Sequence, residues 1–170
     1  MKGFGDQNKL NKHPDKISKT IKPSKQQIYN QAIQFHSKGN ITEAAKYYQY
    51  FINQGFEDYG VFSNYGVILK GLGKLKEAEF CYRKAIKINP DFYKAHFNLG
   101  NVMKDLGKLK EAEFYYLKAI EINPDFADAY SNLGNALRDL GNVHKAEIAF
   151  RKAIKINPNF AIYHSNLGGI

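Results

Sequence analysis

The chain has 170 residues, 44% of them apolar, and a formal net charge of +9. That length holds one ordinary domain and not two, and no stretch approaches the roughly 18–20 apolar residues that a membrane-spanning helix needs. A single cysteine, Cys81, excludes an internal disulfide framework and a multi-cysteine zinc site, which fits a reducing, cytoplasmic setting.

Residues 1–24 come first and read as a disordered, lysine-rich tail. Residues 1–25 hold seven lysines against Asp6 and Asp15, so more than half of the net charge sits there. After Met1 the tail has only Phe4, Leu10, Ile17 and Ile21 as large apolar side chains, and Pro14 and Pro23 interrupt any helix. So little apolar surface does not offset the entropy of ordering a chain. No apolar run follows the lysines, so a secretory signal is not expected. Two readings stand: an electrostatic arm for nucleic acid or acidic protein, or a solvated leader. No arginine or regularly interleaved aromatic residue is present to stack on bases.

From residue 25 the chain repeats itself. Gly73-Lys74-Leu75-Lys76-Glu77-Ala78-Glu79-Phe80 returns thirty-four residues later, starting at Gly107. Ile88-Asn89-Pro90 returns as Ile122-Asn123-Pro124 and Ile156-Asn157-Pro158, and Asn98-Leu99-Gly100 as Asn132-Leu133-Gly134 and Asn166-Leu167-Gly168. The array is expected over 25–170, in units 25–58, 59–92, 93–126 and 127–160 and a partial unit, 161–170. Each unit predicts two helices. In the third, His96, Leu99, Gly100 and Met103 share one helical face, and Ala112, Tyr116, Ala119 and Ile120 share another. Gly107 allows the tight turn between them, and Pro124, with no amide hydrogen to donate, ends the second. Glycine or alanine at unit positions 8, 20 and 27 lets helix backbones approach closely. The last residues stop at position 10 of a first helix with nothing to cover it, so the array is expected to have been cut there.

The spacing Leu99-Gly100, Gly107, Ala112, Tyr116, Ala119, Pro124 resembles the tetratricopeptide repeat (TPR), whose period is also 34 residues. The first unit is degenerate: Gln31 takes a large apolar position, Phe51 a small one, and Phe56 stands where proline is expected. The resemblance implies an all-α fold, a right-handed α-solenoid of helix–turn–helix units. It further implies a concave groove lined by positions 2, 5, 6, 9, 12 and 13 of the first helices, binding a peptide or protein segment in a scaffold or adaptor role.

Position 6 of that groove is Asn30, Asn64, Asn98, Asn132 and Asn166, with Asn101 and Asn135 at position 9. A column of amides, each both donor and acceptor, suits an extended peptide backbone. It resembles the asparagine ladder of the O-GlcNAc transferases. The rival reading is that the asparagines bridge neighbouring helices or descend from duplication. Position 12 is His36, Lys70, Lys104 and Arg138, a cationic row that would favour acidic segments, or a solvated row paired to acids such as Asp105 and Asp139. The carboxylate-clamp TPR domains carry lysine at position 5, where Tyr29, Ser63, Phe97, Ser131 and Ser165 stand here; Lys94 does sit at position 2, but Asn98 replaces the arginine of position 6. No carboxylate clamp is therefore expected.

Catalysis is not expected. The five histidines lack metal-ligand spacing, and no metal or other cofactor is implied. A reactive thiol needs a neighbouring cation or a helix N-terminus, and Cys81 falls mid-helix. Gly71-Leu72-Gly73-Lys74 has neither the spacing nor the strand–helix context of a phosphate loop. Two further readings stay open: the substrate-recruiting N-terminal part of a larger glycosyl-, sulfo- or methyltransferase, and an RNA-binding helical repeat.

Overall fold

A computed structural model describes residues 22–169 of the chain. The expected tail lies outside the described residues except for its last three. Among the described residues there are nine helices and no strand. They run as antiparallel pairs: α1 (Lys25–Ser37) with α2 (Ile41–Asn53), α3 (Tyr59–Gly71) with α4 (Leu75–Ile88), α5 (Tyr93–Asp105) with α6 (Leu109–Ile122), and α7 (Ala127–Asp139) with α8 (Val143–Ile156). α9 (Ala161–Gly168) is the first helix of a further pair. Each helix packs on its pair partner and on the next pair, which makes an all-α solenoid.

Within every pair the turn falls on a glycine with positive φ: Gly39, Gly73, Gly107 and Gly141, at 73 to 79°. An L side chain there costs roughly 1–2 kcal/mol. The close approach of the two helices has a second requirement. A Cβ built on Gly66 would lie 2.8 Å from the Tyr82 ring, on Gly100 2.7 Å from Tyr116, and on Gly134 2.5 Å from Phe150. These aromatic rings lie flat on bare helix backbone, and all three are fully buried. Ala112 and Ala119 are also fully buried, as close packing at positions 20 and 27 requires.

The degenerate first pair is built from other residues. Gln31 is exposed, and Phe51, where later units have alanine, is fully buried. Its ring packs edge-on against Phe56, centroids 5.3 Å apart, and lies 6.5 Å from Tyr29. Without proline at 56, the chain turns on Gly55 at φ 76°, and Asp58 then caps α3 by accepting from Val61 N at 2.9 Å.

The contacts also fix the curvature. The backbones of consecutive first helices approach each other, α3 with α5, α5 with α7 and α7 with α9, whereas those of α2, α4, α6 and α8 do not, and α4 and α6 are bridged by side chains. First helices therefore line the inner side of the array, and the second helices splay apart on the outer side.

Candidate peptide-binding face

The inner side carries the asparagine row, and its members are not equivalent. Asn132, on α7, donates Nδ2–H to Asn101 Oδ1 of α5 at 2.8 Å. Asn166, on α9, donates to Ser131 Oγ of α7 at 2.9 Å. The Asn101 carbonyl also accepts from the Tyr116 hydroxyl at 2.9 Å. Bridging between neighbouring first helices is thus present, and it fixes these amides. Bridging uses only half of each group: the Oδ1 of Asn132 and Asn166 and the Nδ2 of Asn101 have no side-chain partner among the described residues. Asn98 and Asn135 are half-buried and make no side-chain hydrogen bond among those residues.

At the N-terminal end the row changes character. Asn64 stands near the Tyr48 hydroxyl: burial pushes that phenol up to about 12, and Asn64 works against the shift. The Tyr48 hydroxyl is also 3.0 Å from His36 Nδ1. Asn30 is exposed and accepts from Gln26 Nε2 at 2.8 Å within its own helix.

The cationic row at position 12 is largely paired. Lys70 Nζ meets Asp105 Oδ2 of the next first helix at 2.9 Å, both groups about one-third exposed. Arg138 Nε lies 3.8 Å from its neighbour Asp139. His36 is tied to Tyr48. Of the lysines and arginine in the row, Lys104 alone has no ion pair among the described residues. The field on the inner side is therefore weaker than the bare sequence of charges suggests.

The remaining chemistry-bearing residues are packing elements. His96 is buried and its Nε2 is 2.8 Å from the Pro90 carbonyl; the exposed His164 repeats the contact with Pro158. In both, the ring holds the turn before its own helix. Cys81 is buried, and burial pushes its thiol up to about 12, opposite to what a nucleophile needs. Among the described residues no group of three or more His, Cys, Asp or Glu is placed to hold a metal ion. No described helix is long and apolar enough to cross a membrane.

A stack of antiparallel helix pairs at a constant 34-residue register, glycine-turned and small-residue-packed, defines a helical-repeat solenoid protein. The chain belongs to the tetratricopeptide repeat family: the Tetratricopeptide repeat profile matches residues 93–126 and 127–160, and the TPR repeat profile matches 66–107. No curated protein matches the chain. Among solved structures it is similar to YrrB, described as a TPR protein with an unusual peptide-binding site, at 25% identity and TM-score 0.76, over 84% of this chain and 73% of that one. It shares its fold with MamA, at 22% identity and TM-score 0.77, over 85% of this chain and 79% of that one. It also shares the fold of the first TPR of Spaghetti (RPAP3) bound to the HSP90 peptide SRMEEVD, at 24% identity and TM-score 0.64, over 65% of this chain and 88% of that one.

Proposed function

We propose that the chain is a protein-interaction module that binds an extended segment of a partner protein along the inner side of the array. The observation that carries this reading is the pair of amides, Asn132 and Asn166, each clamped by one hydrogen bond to the preceding first helix with its carbonyl left open. A pre-positioned amide loses little entropy when a peptide N–H bonds to it. Repetition at each unit lets the row follow a backbone without reading its side chains. The likeness to YrrB, whose description includes a peptide-binding site, supports the same assignment. Lys104, unpaired among the described residues, adds a preference for acidic segments.

The native chain as bait recovers the partner, and the triple variant Asn64→Ala, Asn98→Ala, Asn132→Ala then tests the face. Each lost hydrogen bond is worth roughly 0.5–1.5 kcal/mol, so the affinity should fall at least tenfold while the circular dichroism spectrum is kept. Unchanged binding by a folded triple variant removes the proposal. Amidating the C-terminus of the bound peptide should change nothing, since no clamp for a carboxylate is built.

A further inference from the structure

The splay of the second helices leaves wedges on the outer side, and two of them are open. One, of about 460 Å³, lies between α6 and α8, with Leu117 and Ile148 on its walls and Leu133 and Leu137 of α7 beneath. The other, of about 330 Å³, lies between α2 and α4, with Gln49 and Phe80 on its walls and Tyr65 and Leu69 of α3 beneath. They are the same place in the repeat, two units apart. The wedge between α4 and α6 is filled. There Arg83 donates Nη1–H to the Tyr115 hydroxyl at 2.8 Å, lies 5.7 Å from the centre of that ring, and is held by Glu79 at 2.8 Å.

What opens or fills a wedge is the pair at position 25 of one unit and position 23 of the next. Arg83 with Tyr115 fills it; Gln49 with Cys81 and Leu117 with Ala149 leave it open. Around the open wedges stand apolar side chains in water: Phe80 is 57% exposed, Ile148 57%, and Leu117 48%. An apolar row of this kind on a soluble surface marks an interaction site.

We propose that the outer wedge between α6 and α8 is a docking site for an acidic amphipathic helix of a partner protein, separate from the inner face. The form of the occupant follows from the walls. They are helices whose backbone groups are already paired internally, and they offer apolar side chains. An extended chain would leave its own amides without partners there, at a cost of several kcal/mol in an apolar setting, whereas a helix satisfies its own backbone and contributes only side chains.

The charge of the occupant follows from the rim. Lys145 and Lys152 flank the wedge, against Glu113. Of the two walls, α8 carries four basic residues and one acidic and α6 two basic and three acidic, so the positive charge is concentrated on the α8 side. A second copy laid with its own α8 across the α8 wall would set basic residues against basic ones, and the chain's own lysine-rich N-terminal residues carry the same sign. An acidic helix meets neither obstacle. The α2–α4 wedge, bordered by Lys76 and Glu77, has no such bias.

The probe is a synthetic 18-residue peptide with leucines on one helical face and glutamates on the other, followed by fluorescence anisotropy. It should bind the wild-type chain in the micromolar range. The variant Leu117→Arg, Ala149→Tyr copies the Arg83–Tyr115 plug that the chain accommodates one unit earlier, and should weaken binding at least tenfold. Lys145→Glu with Lys152→Glu, both exposed, should do the same while the buried side chains of the wedge are kept. The asparagine triple variant should bind the peptide as wild type does, which separates this site from the inner face. The proposal is overturned if the wild type does not bind the peptide. It is equally overturned if the plugged chain binds as well, or if a lysine-for-glutamate peptide or a proline-broken peptide binds equally. Self-association of the wild type that the plug abolishes would assign the wedge to a second copy instead.

Discussion

In the first helix pair, Ala32 and Tyr48 share one buried cluster; at the corresponding place in the fourth pair, Gly134 lies beneath the Phe150 ring. The first pair tolerates a methyl group where the later pairs tolerate none. It also carries side-chain caps on both of its helices, whereas in the later pairs only α3 has one, from Asp58. Ser24 accepts from Gln27 N while the Gln27 side chain accepts from Ser24 N, and Asn40 accepts from Glu43 N. None of α4 to α9 has a side-chain cap. An end unit packs on one neighbour only and holds its helices by local means, whereas an internal unit relies on close packing against two.

High pH should break that distinction with the largest effect, because it acts on many buried groups at once. Burial raises the Cys81 thiol from 9.0 to about 12 and the Tyr48 phenol from 10.0 to about 12, and raises Tyr82 and Tyr116 further. A folded-state value above the unfolded one means that the neutral group's stabilisation is complete below the unfolded value. It is lost as pH rises through the folded one. The urea midpoint should therefore be flat between pH 7 and 8.5 and fall steadily from about 9 to 12. A midpoint at pH 11 equal to that at pH 8 would show that these groups are not held neutral.

Gly134→Leu comes next. Even a Cβ would lie 2.5 Å from Phe150 Cε1, so the α7–α8 pair must separate, at a cost of about 3 kcal/mol. The same residue at Ala32 should cost less, since the first pair already leaves room for a methyl. Equal losses in the two urea titrations would show that the glycine contacts do not set the helix spacing. Ser24→Ala is smaller, about 1 kcal/mol. Its effect should stay local, seen as faster amide hydrogen exchange in the first turn of α1, with the amides of α5 to α8 unchanged.

How much of this was legible in the sequence depends on what a period can report. A repeat states which residues share a column, so the helix pairs, the glycine turns and the asparagine row follow from the thirty-four-residue register. It does not state how side chains in one column reach the next. The Asn132–Asn101 and Asn166–Ser131 bonds depend on the spacing of first helices, and the pairing of Lys70 with Asp105 on their rotation. The outer wedges were missed for the same reason. Tyr47 packs on Phe35 and Tyr115 lies beside His96, as ordinary packing aromatics do. The informative signal was the alternation at position 23, Tyr47, Cys81, Tyr115, Ala149, and its meaning requires the splay of the second helices.

The smallest expected effect tests the column of rings itself. Position 24 is Tyr48, Tyr82, Tyr116 and Phe150, and each hydroxyl has a different fate. Tyr48 pairs with His36 and Tyr116 with Asn101, Tyr82 has no partner among the described residues although it is fully buried, and Phe150 has no hydroxyl at all. An unpaired buried hydroxyl carries a desolvation cost of roughly 1–3 kcal/mol. Tyr82→Phe removes that cost and should leave stability unchanged or raise it by about 1 kcal/mol. Tyr116→Phe removes a made hydrogen bond and should lower it by about 1 kcal/mol. The Asn101 carbonyl stays satisfied by Asn132 in that variant, so the loss should not grow beyond one bond. Opposite signs at two chemically identical positions would show that the repeats are alike in backbone and different in polar accounting. Equal losses at both would mean that Tyr82 has a partner, and that its ring is placed by a hydrogen bond and not by Gly66 alone.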